Sequence, residues 1–197
     1  MKNKKLILAA SLLAAALTTT GVTLAFLVDS TKEIENVFEP TSVPIEVGET
    51  FDGTTKSNVA IQNLGNTSAY VRVAVVKNWL DGDNVVYLEN DPYNVTWQGA
   101  IETLKTQNTV NNWCKYGDYY YYLVPLEAND NKDGGKDITS YLIDSCVVDY
   151  GTDNPPKYTL QVEILAQSVQ SVPDQAIKDL WGVTISTNSG VTPVTEP

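Results

Sequence analysis

The sequence predicts an all-β fold: a two-sheet antiparallel β-sandwich of immunoglobulin-like or jelly-roll type. A short C-terminal helix belongs to it, and a signal-peptide helix precedes it. Three observations carry this prediction. Apolar and polar residues alternate over several runs separated by Gly-, Asn- and Asp-rich breaks, which is the period of half-buried strands. A single later stretch, Pro173–Gly182, has helical spacing. The chain begins with a charged start, an apolar run and small residues.

Lys2, Lys4 and Lys5 precede the uncharged run Leu6–Leu17, which Thr18–Gly21 interrupts. This is the layout of a secretory signal peptide, whose apolar region runs roughly 7–15 residues. Thr23 and Ala25 supply small side chains at positions −3 and −1, so cleavage is expected between Ala25 and Phe26. An uncleaved anchor is the alternative, because Leu6–Val28 is uncharged and a spanning helix takes about 20 residues. Three threonines and Gly21 weaken that alternative. The expected organisation is a signal peptide over 1–25, a mature N-terminal segment over 26–38, a sandwich domain over 39–185 and a flexible tail over 186–197.

Lys56–Asn63 alternates, with Val59, Ile61 and Asn63 on one face. After the turn Leu64–Thr67, the run Ser68–Trp79 places Val71, Val73 and Val75 together. The two runs are expected to pair as a hairpin. Asp81–Asn84 turns into a strand at Val85–Leu88, and Asn90–Asn111 reads as a long connection with a short helix around Ala100–Thr106. Tyr119–Val124 is a strand whose alternate tyrosines must face opposite ways. A polar loop at Glu127–Asp137 and a strand at Ile138–Tyr150 follow. Tyr158–Gln167 alternates most cleanly, with Tyr158, Leu160, Val162, Ile164 and Ala166 on its dry face. In the helix, Pro173 suits the first turn, Asp174 complements the positive end and Gly182 ends it. Thr184–Pro197 is rich in Ser, Thr and Pro and reads as a tail.

The chain of 197 residues carries 24 acidic and 13 basic side chains, a net charge of −11. Loss of residues 1–25 would remove three lysines and no acid. That balance argues against nucleic acid as a partner, which requires a basic face. The chain contains no histidine, which excludes Ser-His-Asp and Cys-His catalysis and the His-based zinc-protease helix. Acid–base chemistry by carboxylates remains open, but no pair of acids stands out among the 24; the expectation is a protein that is not an enzyme and has no cofactor. Cys114 and Cys146 are the only cysteines. In an exported chain they are either one disulfide or two partly buried free thiols. Asn129–Gly134 has the alternating oxygens that open a calcium loop, but Ser140 stands where the bidentate glutamate is required. A solvated turn is the expectation. Trp97, Trp113 and Tyr119–Tyr122 would suit a glycan platform if they shared an exposed face; core packing is the commoner use of such aromatics.

Four stretches carry a family resemblance. They are Gly21–Phe26 followed by Asn36-Val37-Phe38, then Ile61–Val73, Tyr119–Leu126 and Tyr158–Gln170. In this order they resemble the TasA/camelysin-like exported proteins of Gram-positive bacteria that carry a SipW-type signal peptide. The family commonly runs Phe-Thr/Ser-Asp after the cleavage site, whereas Leu27 and Val28 stand between Phe26 and Asp29 here. The resemblance implies a secreted structural subunit of a biofilm-matrix or cell-surface fibre, released by a dedicated signal peptidase. It also implies self-association, or association with related exported subunits, with Phe26–Phe38 completing the sandwich of the next subunit. Phe26, Val28, Ile34 and Phe38 would be the anchors of that segment. A secreted carbohydrate-binding module is the alternative from another functional class.

Overall fold

A computed structural model describes residues 42–51, 55–129 and 135–195. Among them the chain forms β1 (Ile45–Phe51), β2 (Thr55–Asn63), β3 (Ala69–Asp81), β4 (Asn84–Val86) and β5 (Asn94–Gln98). Helix α1 (Ala100–Thr103) leads to β6 (Thr109–Val110), β7 (Trp113–Tyr116), β8 (Tyr119–Tyr122) and β9 (Ile143–Asp149). β10 (Thr159–Gln170), α2 (Gln175–Trp181), β11 (Val183–Ser186) and β12 (Gly190–Pro193) complete the order.

The strands make the predicted antiparallel sandwich. One sheet has the order β1-β2-β9-β5; the other runs β10-β3-β8-β7-β6, with β4 also on β3. Alternation sends Val59, Ile61, Val71, Val73, Trp113, Tyr122 and Ile143 into the space between them. Full burial of a large apolar side chain contributes about 1.5–3 kcal/mol, so this layer dominates stability. Tyr120 and Tyr122 face this interior while Tyr119 and Tyr121 face outward, as strand geometry demands.

The expected hairpin of Lys56–Asn63 with Ser68–Trp79 does not form. β2 pairs with β1 and β9, β3 with β10, β8 and β4, so the turn between them crosses from one sheet to the other. Asn63 explains why. Its side chain is fully buried and donates to the carbonyls of Thr67 (2.9 Å) and Glu127 (2.8 Å). Its Oδ1 accepts the Gly65 N–H at 2.8 Å. These bonds satisfy the backbone of a corner that no ladder could satisfy.

A second cluster covers the outer face of the larger sheet. Cys114, Tyr121, Leu123 and Val169 pack beneath Ala176 and Ile177 of α2 and Val183 and Val191 of the β11–β12 pair. The predicted tail is thus a paired hairpin as far as Pro193. Its turn depends on Gly190, whose φ is +77° and where a Cβ would stand 3.1 Å from the Cys114 sulfur. Three further expectations change. The strand after Asp81 is Asn84–Val86, with Tyr87 97% exposed. Asn90–Asn111 holds β5 and β6 as well as the short helix. The strand expected from Ile138 begins at Ile143, Ile138 making only an isolated bridge to Gln62.

Candidate functional site

The two lateral sides of the sandwich end differently. On one side the chain passes from β5 through α1 to β6, so α1 connects the two edges. Gly99 makes the entry: its φ is +104°, and a Cβ there would lie 2.6 Å from the Asp144 backbone nitrogen. That close approach buries Ala100, Ile101 and Leu104 against the core. The Ile101 N–H donates to the Leu142 carbonyl at 2.9 Å. Nearby, Trp113 is fully buried, donates from Nε1 to the Ser140 carbonyl at 3.0 Å and meets Tyr122 edge to face.

On the other side stand β1 and β10, the remaining edges of the two sheets. At one end they are held together. The Val43 N–H donates to Ser168 Oγ at 3.0 Å, and the Ser168 hydroxyl donates to the Val43 carbonyl. At the other end, between Phe51 and Leu160, a cleft of about 320 Å³ opens between the sheets. Leu160, Ile164 and Ala166 pack on the interior cluster and are only half-buried. Phe51 is 60% exposed. The Leu160 N–H donates to the Tyr150 hydroxyl at 3.3 Å, away from β3. Antiparallel strands alternate their hydrogen-bonding direction, so Val162, Ile164 and Ala166 direct their amides to the same edge, with which no described strand pairs.

The cleft also has polar features. Lys56 pairs with Cys146 in register and therefore starts inward; its ammonium meets Glu49 at 2.7 Å. Cys146 lies on the cleft wall. Burial pushes its thiol up to about 11, against the opposing pull of the Lys56 and Lys77 charges.

Outside the larger sheet, beside the same edge, lies Arg72, the only arginine in the chain. Its guanidinium sits 4.1 Å from the Tyr119 ring centre and 4.8 Å from that of Trp181. Nε donates to Gln167 Oε1 at 2.8 Å and Nη1 to the Tyr121 hydroxyl at 3.1 Å. Arg72 lines a second cleft, of about 430 Å³, with Val43, Ile45, Ala166, Gln167 and Trp181.

Of the residues singled out from sequence, Ala25, Phe26, Val28, Ile34 and Phe38 lie outside the described residues, as does the stretch 1–25 expected to be a signal peptide. The calcium-loop reading also falls partly on residues 130–134, outside them. The disulfide alternative is corrected: Cys114 and Cys146 are both free and buried. Cys114 belongs to the outer cluster and Cys146 to the interior one, so the sheet separates the sulfur atoms. Nor do the aromatics share one exposed face. Trp97, Trp113, Tyr120 and Tyr122 pack with the interior, and Arg72 lies over the Tyr119 ring. Among the described residues no group of three or more His, Cys, Asp or Glu side chains is placed to hold a metal.

Sequence reading missed β1, the Lys56–Glu49 pair and Arg72. One signal was present: a sole arginine inside the β-branched run Val71–Val76. Comparison with family models, with curated proteins and with solved structures returns no match.

Proposed function

We propose that this chain is an exported, non-enzymatic structural subunit of an extracellular, biofilm-matrix or cell-surface fibre, of the TasA/camelysin-like kind. Its partners are further copies of itself or related exported subunits, after a signal peptidase cuts between Ala25 and Phe26. The open side between β1 and β10 is the observation that carries this reading. It offers the free edge of a 12-residue strand, β10, above a cleft with apolar walls. An exposed edge of this length is a template for strand addition, in which main-chain bonds give affinity and pockets for alternate side chains give specificity. The segment suited to it is Phe26–Phe38 of a second copy. Phe26, Val28, Ile34 and Phe38 all occupy even positions, so an extended segment presents them on one face.

Two secreted forms test the reading, one starting at Phe26 and one starting after Phe38. Electron microscopy is expected to show fibres from the first and single particles from the second. Equal growth of both, or growth of neither, removes the support for strand donation.

A further inference from the structure

We infer that Arg72 is a carboxylate receptor for the acidic face of the incoming Phe26–Phe38 segment, fixing its position along β10. This rests on the strand-donation reading and adds to it a specific contact outside the sandwich.

The argument begins with charge. The segment carries Asp29, Glu33 and Glu35 against a single Lys32. It must approach a chain that is itself acidic, with 10 basic and 24 acidic side chains and a net charge of −14 once residues 1–25 are lost, so docking requires a local cation. Lys56, Lys77, Lys105 and Lys136 are each engaged by a carboxylate, from Glu49, Asp91, Glu102 and Glu127, and Lys115, Lys157 and Lys178 line neither cleft. No described carboxylate forms an ion pair with Arg72. Its guanidinium lies close to the rings of both Tyr119 and Trp181, is held by Gln167 and the Tyr121 hydroxyl, and lines the cleft beside Val43, Ile45 and Ala166. A planar fork held in place loses little freedom when it binds a carboxylate, and two-pronged pairing adds specificity. Because the guanidinium covers the Tyr119 ring, stacking of a sugar is disfavoured at this spot.

Strand parity supplies the second argument. If Phe26, Val28, Ile34 and Phe38 face the core, the odd positions Asp29, Glu33 and Glu35 face outward. Arg72 and Gln167 are on that outer side, paired in register. Spacing gives the third. Leu160, at the interior cleft, and Gln167, at the Arg72 cleft, are seven residues apart, about 23 Å of strand. Phe26 and Glu33, and likewise Val28 and Glu35, are also seven apart. With the segment running parallel to β10, an aromatic or branched anchor in the first cleft therefore brings a carboxylate to the second.

The test compares critical assembly concentrations of the secreted chain by light scattering. The triple variant D29N/E33Q/E35Q removes the acidic charges of the segment, keeps Lys32, and leaves the folded domain unaltered. It is expected to raise the critical concentration at least tenfold. Arg72→Gln is expected to do the same, and the combined variant to assemble no worse than either alone. Because Arg72 also braces α2, Arg72→Gln is first checked for native tryptophan fluorescence; should it fail, the segment variant alone decides. Assembly of the triple variant at the wild-type concentration overturns the assignment of Arg72 and leaves strand donation standing. So does full multiplication of the two effects in the combined variant. Failure of the wild-type chain to assemble removes both.

Discussion

Between β5 and β6 the sandwich is closed by its own chain, while between β1 and β10 a cleft is left. The closed side has α1, with Ala100, Ile101 and Leu104 buried and a Gly99 that admits the helix close to Asp144. The open side has apolar residues at inward register that nothing described covers: Leu160, Ile164 and Ala166 half-buried, and Phe51 more exposed than any of them. Both sides obey the same alternation rule and differ in whether a segment lies across the gap. Among the described residues one side has a covering segment and the other has none. On the proposed reading, that asymmetry makes the open side the assembly surface.

The comparison can be broken by making the same change on each side. Leu104→Ala on the closed side is expected to cost about 3 kcal/mol in urea unfolding, the middle of the range for a buried leucine that leaves a cavity. Leu160→Ala on the open side is expected to cost about 1 kcal/mol in the unassembled chain, because water already reaches that side chain. Equal costs would mean that the open side is as dry as the closed one. Asn63→Ala tests the corner that sends β2 and β3 into different sheets. It leaves the Gly65 N–H and the Thr67 and Glu127 carbonyls without their buried partner. The expected loss is about 2 kcal/mol; a loss below about 0.5 kcal/mol would mean that water replaces the side chain.

The smallest effect concerns pH and reports on the cleft wall. The Cys146 thiol stays protonated in the folded chain up to about 11, above its ordinary value of 9.0. Between those values the unfolded chain releases this proton while the folded chain keeps it, so stability falls as pH rises. Cys146→Ala should flatten the alkaline slope of urea midpoints over that window. An unchanged slope would place the thiol in a wet environment.

Much of this fold was legible in the sequence, because strand faces are written in a period of two. The dry face of β10 and the split of Tyr119–Tyr122 follow directly from it. The hairpin at residues 56–79 was misread for a physical reason: Leu64–Thr67 has the turn chemistry of a hairpin and of a sheet-crossing corner alike. Only the bonds of Asn63 to distant Glu127, invisible in local sequence, separate the two. The C-terminal hairpin was hidden by its Ser, Thr and Pro content, although Val183, Ile185 and Val191 alternate within it. Site residues fared worst. Lys56 and Arg72 acquire meaning from lying on β2 and β3, one strand in from the edges β1 and β10, and edges are set by topology.

Amide hydrogen exchange along β10, before and after assembly, tests the central claim most directly. Addition of a strand to the free edge is expected to slow exchange at Val162, Ile164 and Ala166 by at least tenfold, with the amides already bonded to β3 little changed. Protection that appears instead at β5 or β6, with β10 unaltered, would contradict the account.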